Sequence, residues 1–523
     1  VKPLRLSLSR WRWPLAGALA AAAFLVLCAR FWHPAYGFTV FFQLDGSNDP
    51  LKLTEFRQYP VYVHRDNGGY DGLYYAQIAF DPTLQDPELP RAMDNFAYRA
   101  RRILPPALAW TAGFGQPRGI IFAYSILNLC AWLACAALVW RLLAVNNARA
   151  FLAWSGVMFS AGALASVRLA LTDLPALTLL AAMLVALERG QRNRATAWLA
   201  SAALARETSL AALPALWTRP WFSRRNALAA LAVIAPLAGW LVYVRFQVGP
   251  ADAGWGNLTW PVAGWIEKLI ASVHALGTVG DHTLAWTTFL AFIALSAQAA
   301  AILVHRRPND PHWRIGFAYT VLLLTLGTAV WEGFPGAATR VLLPLTLAAN
   351  ILLIRSRAPL AWLIVINLTV PAGLLSLRDV PADVAEVAAA SSRHGTAVAR
   401  RGEGWYPAEA AGRSSWNWTR GRAEILLESW GDRDAIIDLS FKLRALRPCV
   451  IGVSVDGSEI ARLNVGPTLE KHVVHINPAA RIKTGAMRIG LASDTEPVAE
   501  GNAPEARQLG FALYDPRLEI RRR

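Results

Sequence analysis

One carboxylate, Asp71, stands between glycines and tyrosines in GGYDGLYYAQIAFDP (68 to 82), and a second, Asp45, stands in FFQLDGSNDP (41 to 50). Shortly after them MDNFAYRARRILPPALAW carries Arg99, Arg101 and Arg102. An ionised carboxylate can take a proton from an attacking hydroxyl. Guanidinium groups hold a phosphate, including that of a lipid, through bidentate charge-assisted bonds. Each residue also has a plainer reading. Gly72 to Phe80 suits a short helix, with Tyr74 and Ile78 on one face and Asp81-Pro82 ending it, so Asp71 is equally an N-cap. Arginines at a membrane surface also snorkel toward headgroups.

The elements that must hold these residues are mostly apolar. The chain has 523 residues, 54% hydrophobic and 17% charged, with a mean hydropathy of +0.31, which places it in a membrane. Its net charge of +16 comes almost wholly from Arg, since six of 52 basic residues are Lys. Most of that charge lies in short loops between apolar runs, which excludes a nucleic-acid-binding face and points to topology signals. The four cysteines have no spacing suited to zinc or to a disulfide framework.

Stretches of spanning length fall at 13 to 32, 119 to 144, 150 to 167, 169 to 189, 226 to 247, 284 to 304, 314 to 331, 340 to 355 and 359 to 377. The first reads as an uncleaved span, because no small-residue cleavage site follows it. Basic loops NNAR, ERGQRNR, RPWFSRR, HRRPNDPHWR and RSR belong in the cytoplasm with the N-terminus. Basic loops flank 195 to 218 on both sides, so that segment is expected to enter and return as two short helices with Arg206 and Glu207 at the tip. Charged turns at membrane depth require a protein or aqueous surround. The remaining loops fall outside, among them 33 to 118, 248 to 283 and WEGFPGAATR (331 to 340). A chain opening on Val with such an Arg bias is expected of a GTG start in a GC-rich bacterium, hence an inner (plasma) membrane location.

The expected fold class is a multi-span α-helical membrane protein with a C-terminal all-β sandwich or jelly-roll domain. Residues 1–378 form the polytopic part with its first extracytoplasmic loop at 33–118, 379–399 a linker and 400–523 the extracytoplasmic β domain. Short alternating runs there, with VDGSEI as a hairpin signal, give six to eight strands. Trp405, Tyr406, Trp416 and Trp418 fit packing between sheets better than stacking on sugars.

YDGLYYAQIAFDP, DNFAYRARRIL, LTDLPALTLL, ARETSLAAL and ATRVLLPLTLAAN together resemble the GT-C superfamily of integral membrane glycosyltransferases, over residues 10 to 378. The YDG element is similar to the Trp-Asp element of GPI mannosyltransferases. The resemblance implies an inverting transfer of a sugar from a polyprenyl-phosphate donor to an extracytoplasmic glycan, lipid or protein acceptor, with a carboxylate of the first outer loop as base. Many members place that carboxylate directly after the first span, where Asp45 lies; Asp71 lies some 40 residues beyond it. The base is therefore Asp71 or Asp45. Tyr74, Tyr75, Tyr98, Arg99, Arg101, Arg102, Asp173, Arg206, Glu207 and Arg340 are the candidate substrate contacts, Arg340 because it begins an apolar helix from outside, against the charge bias. No cofactor is implied, and a divalent metal is not indicated.

Other polar residues have local readings. Arg168 and Asp173 flank one turn and suit a local ion pair and a cavity role equally; Arg206 and Glu207 could neutralise each other, but the cost of a buried pair at a hairpin tip favours a functional role. His64, His274 and His282 read as surface or interfacial residues. The alternative functions are a transporter or flippase of lipid-linked sugars, which also needs intramembrane Arg, and a carbohydrate-binding scaffold, which does not need a charged hairpin tip.

Overall fold

The computed structural model describes residues 8–46, 51–64, 68–250, 255–381, 386–412, 414–431, 435–477, 486–501 and 505–522. The basic start of the chain (1–7), the SNDP end of the Asp45 motif (47–50) and Arg413 of RSSWNWTRG lie outside them. Two compact units are present. One comprises Val1–Trp32, Phe38–Arg57 and Tyr62–Val380, the other His33–Gly37, Gln58–Val61 and Pro381–Arg523. The first is mostly helical and apolar, the second is all β in its C-terminal part, and the chain is a membrane protein.

Each of the nine apolar stretches contains helix. Among the described residues four helices, Trp11–Ala29, Pro117–Leu142, Arg224–Gln247 and His282–Val304, are long and apolar enough to cross a membrane; the pair Ala148–Met158 and Ala161–Arg168, bent by 41°, makes a fifth if it is one span. The other stretches fall short of nine full spans for a geometric reason. Asp173–Glu188, Pro311–Thr325 and Leu343–Arg355 have 16, 15 and 13 residues. At about 1.5 Å per residue these are shorter than the roughly 30 Å hydrocarbon core. Every residue from Leu343 to Leu353 is buried, as expected of a helix that is apolar all round inside a protein. The segment with basic flanks does break at its charged pair: helix Arg192–Ala205, one extended residue at Arg206 (φ −157°, ψ 120°), then a 3₁₀ stretch Glu207–Leu216.

Two glycines set the close approaches that place the polar residues. A Cβ on Gly72 would lie 2.3 Å from the Leu169 carbonyl oxygen and 3.1 Å from that of Phe42, so the YDG glycine lets the helix Gly72–Ile78 sit directly on neighbouring backbone. A Cβ on Gly162 would lie 2.1 Å from the Thr339 carbonyl oxygen, which brings the turn before Arg340 against Ala161–Arg168. Gly72–Ile78 is buried along its whole length, so the face shared by Tyr74 and Ile78 meets protein, as does the opposite one.

Among the described residues the β unit has thirteen strands: β1 Glu386–Ser392, β2 Gly395–Arg401, β3 Glu409–Ala411, β4 Ser414–Trp418, β5 Arg422–Gly431, β6 Ala435–Ala445, β7 Cys449–Val455, β8 Ser458–Val465, β9 Glu470–Ile476, β10 Met487–Ser493, β11 Val498–Ala499, β12 Gln508–Leu509 and β13 Phe511–Arg522. They form antiparallel sheets ordered β1-β2-β5-β10-β7-β8 and β3-β4-β13-β6-β9, with β11 and β12 paired apart. The stretch 379–399, expected as a linker, already carries β1 and most of β2. Its Ala and Ser residues carry little β-branched signal, yet Ala397 and Ala399 are fully buried in the core with Ile425, Leu439 and Phe441. The VDGSEI hairpin is present: Asp456 and Gly457 join β7 to β8 with φ of 48° and 87°, as a two-residue primed turn requires. The aromatic cluster packs inward. Trp416 stacks on Tyr514 at 5.2 Å, Trp418 is buried, and the Trp405 indole N–H donates to the Glu424 carbonyl oxygen (2.7 Å).

Candidate functional site: a closed ring of ion pairs

The helix Gly72–Ile78 presents Asp71 at its start. The Asp71 carbonyl oxygen accepts from Tyr74 and Tyr75 N–H (3.1 and 3.4 Å), but its carboxylate makes no capping bond. Oδ2 instead lies 2.6 Å from Arg99 Nη1. Arg99 also donates from Nε and Nη2 to the two oxygens of Asp94 (3.1 and 2.7 Å), and its guanidinium lies over the rings of Tyr74 and Tyr98 at 5.2 and 5.5 Å. Asn95 caps the one-turn helix Phe96–Arg99 by accepting from Tyr98 N–H, which fixes Asp94 five residues before its partner. Burial works against the Asp94 anion, yet the bonds and charge of Arg99 outweigh it and hold the carboxyl below its ordinary 3.8.

One turn along the helix from Asp71, the Tyr75 hydroxyl accepts from Arg102 Nη1 (2.7 Å). Arg102 completes a bidentate pair with Glu207 (Nε to Oε2 3.0 Å, Nη2 to Oε1 2.8 Å), and Nη2 also donates to the Tyr98 hydroxyl (3.1 Å). Burial disfavours the Arg102 cation, but Glu207 and the tyrosines raise its pKa well above the ordinary value.

Arg206, next in the chain to Glu207, turns to Asp173, with Nη1 2.6 Å from Oδ1. Asp173 starts the helix Asp173–Glu188, where a carboxylate suits the positive helix end, and its side chain is 1% exposed. Arg340 Nη1 stands 3.8 Å from the other Asp173 oxygen, and Arg340 Nη2 donates to the Tyr70 hydroxyl. Tyr70 adjoins Asp71, so the path closes on itself: Asp71, Tyr75, Arg102, Glu207, Arg206, Asp173, Arg340, Tyr70.

Charge is unevenly placed around this ring. Asp71, Arg99 and Asp94 carry one negative charge in excess, and Arg206, Asp173 and Arg340 carry one positive charge in excess. The two ends meet at the Tyr70–Asp71 peptide. At the positive end both Asp173 oxygens and Arg206 Nε are buried without an aligned hydrogen bond among the described residues. Buried polar atoms in that condition are the ones that take water or a ligand. Asp71 retains 27% side-chain exposure.

Ten of the twelve residues singled out from sequence gather here: Asp71, Tyr74, Tyr75, Tyr98, Arg99, Arg102, Asp173, Arg206, Glu207 and Arg340. Arg101 lies 5.4 Å over the Tyr98 ring. Asp45 is 5% exposed, in a short bridge where Gly46 N–H donates to the His64 carbonyl oxygen (3.1 Å). Two local readings fail. Arg168 does not pair with Asp173; its Nη1 donates to Gln43 Oε1 (2.7 Å) and it lies over Phe31. Arg206 and Glu207 do not pair with each other, because each has a partner on another element that holds it more directly. His64 is buried, not interfacial: a ring nitrogen sits 2.9 Å from the Val40 carbonyl oxygen, and burial pushes its pKa down to about 4. Tyr70 and Asp94 complete the ring without having been singled out; the signal present was their adjacency to Asp71 and to the Arg99 helix. Among the described residues no group of three or more His, Cys, Asp and Glu is arranged to hold a metal ion.

No family model matches the chain, and no curated protein matches it. Among solved structures, arabinosyltransferase EmbB from Mycobacterium smegmatis is similar over 100% of this chain and 66% of that one, at 11% sequence identity and a TM-score of 0.24. At that TM-score the likeness carries no weight for activity.

Proposed function

We propose that the ring is the centre of an inverting glycosyl transfer from a polyprenyl-phosphate sugar to an extracytoplasmic glycan, lipid or protein hydroxyl. The observation that carries it is the joining of a negative end with a partly open carboxylate to a positive end where two guanidinium groups share one carboxylate and the buried donor Arg206 Nε has no aligned partner among the described residues. The donor phosphate lies toward Arg340 and Arg206, and Asp71 faces the acceptor. The acceptor oxygen bonds to the anomeric carbon as the carbon–oxygen bond to phosphate breaks. The electron pair of that bond leaves on the phosphate, and the acceptor proton passes to the Asp71 carboxylate. The negative end favours the oxocarbenium-like charge that develops on the sugar, and the guanidinium groups favour the leaving phosphate. Phosphate is a good leaving group, so no strong general acid is required.

The basic loops between the apolar stretches favour an outer-side location for the ring by the positive-inside rule. The test is donor consumption by the purified chain across mannosyl, glucosyl and arabinosyl polyprenyl phosphates, read as released polyprenyl phosphate. Arg340→Ala is expected to weaken donor dependence at least tenfold and to leave acceptor dependence near that of the parent chain. Unchanged donor dependence removes Arg340 from the phosphate site. If no donor is consumed but lipid-linked sugar crosses the bilayer, the transport reading replaces this one.

A further inference from the structure

Lys268 lies in the helix Ala263–Thr278, which contributes no residue to the ring, and the residue is 8% exposed. It donates to the Gly333 carbonyl oxygen (3.0 Å), and among the described residues no carboxylate pairs with it. Burial alone pushes its pKa down to about 8, the mark of a cation lacking a counter-charge. It lines a cavity of about 210 Å³ together with Ser272, Thr288 and Trp331.

Each of those three neighbours, all 2% exposed, carries a buried polar atom without a partner among the described residues: Ser272 Oγ, Thr288 Oγ1 and Trp331 Nε1. The ordinary outlet for a helical hydroxyl is a carbonyl one turn back. The adjacent Thr287 takes it, donating to Thr283 and Leu284, and Thr288 does not. An indole N–H can only donate, and an ammonium can only donate. The niche thus offers two remaining Lys268 protons, one indole proton and two hydroxyls. Its carboxylates, Glu267 and Glu332, are both exposed, and Glu267 accepts from the Thr328 hydroxyl. Among the buried polar atoms of the niche, those of Lys268 and Trp331 can only donate, and burying such donors around a cation with no carboxylate partner among the described residues costs free energy unless an acceptor fills the space.

We propose that this niche binds the phosphate group of a phosphate monoester or diester, with Lys268 as its counter-charge and Trp331, Ser272 and Thr288 as neutral donors. The cavity is too small for a whole lipid and has room for a headgroup phosphate or a free one. The assignment stands apart from the reaction placed on the ring, and its test does not use turnover.

The full chain is purified in maltoside detergent and phosphate-free buffer, and binding is followed by calorimetry and by thermal unfolding. The probes are inorganic phosphate, phosphatidylglycerol, polyprenyl phosphate and acetate. The parent chain is expected to bind a phosphate probe and to unfold at a higher temperature with it. Lys268→Met is expected to weaken that binding at least tenfold, and Trp331→Phe several-fold. Should Lys268→Met fail to fold, Trp331→Phe combined with Ser272→Ala decides. Binding of inorganic phosphate identifies a free-phosphate site, and response to the lipids alone identifies a headgroup site. The proposal is overturned if none of the phosphate probes binds, if folded variants bind as tightly as the parent, or if acetate binds as well as phosphate.

Discussion

The helical unit buries charge in two contrasting ways. In the ring, Arg99, Arg102, Arg206 and Arg340 each meet a carboxylate, at 2.6 to 3.8 Å. In the niche, Lys268 meets a single backbone carbonyl. A matched set of charges is part of the fold and keeps its shape when empty, with function left to a small excess at each end. An unmatched cation contributes nothing to the fold by its charge and is explained by what it receives. Removing a charge should therefore have opposite consequences in the two places.

The largest stability effect is expected at the ring. Asp173→Asn leaves Arg206 and Arg340 facing each other over a neutral amide in a buried site, and about 3–5 kcal/mol of stability should be lost, measured by denaturant or detergent-induced unfolding. A loss below about 1 kcal/mol would mean that the triad is wet and that the contrast with Lys268 does not hold. Gly72→Ala should cost about 1–3 kcal/mol, because its methyl cannot coexist with the Leu169 carbonyl oxygen, and should lower turnover further by moving Asp71. Lys268→Met in phosphate-free detergent should be neutral or stabilising, since an unpaired buried charge is exchanged for an apolar chain of similar length. Marked destabilisation there would give Lys268 a structural role.

The smallest effect concerns acid. The folded-state pKa of Asp94 is depressed, so its pairing with Arg99 stabilises the fold above the ordinary carboxyl value of 3.8 and that contribution fades as pH falls below it. Asp94→Asn should lower stability at neutral pH and converge on the parent chain's value in acid, which flattens the acid limb of the stability curve.

How much of this was legible in the sequence differs between local and distant features. Helix positions followed from apolar runs, and the break at Arg206 and Glu207 from the basic flanks. Helix lengths did not, because burial within the unit lets helices of only 13 to 16 residues be apolar. The residue types of the ring were readable, but their pairing was not. Arg340 and Tyr70 are 270 residues apart, and Arg102 and Glu207 are 105 apart, and periodicity carries no information at such separations. Local pairs such as Arg168 with Asp173 were the natural reading and lost to distant partners. In the β unit the alternation of β6 and the Asp456-Gly457 turn were plain. The Ala- and Ser-rich β1 and β2 passed for a linker because their burial comes from close sheet packing, with little side-chain bulk to announce it.

Release of polyprenyl phosphate from a lipid-phosphate sugar, compared among the parent chain, Asp71→Asn and Asp45→Asn at equal folded concentration, tests the central claim most directly. Asp71→Asn is expected to cut the rate by about 10²–10⁴ with donor binding retained, as loss of a general base does, and Asp45→Asn should stay near the parent. Full turnover by Asp71→Asn, or its loss in Asp45→Asn alone, would contradict the assignment of the ring as the reaction centre.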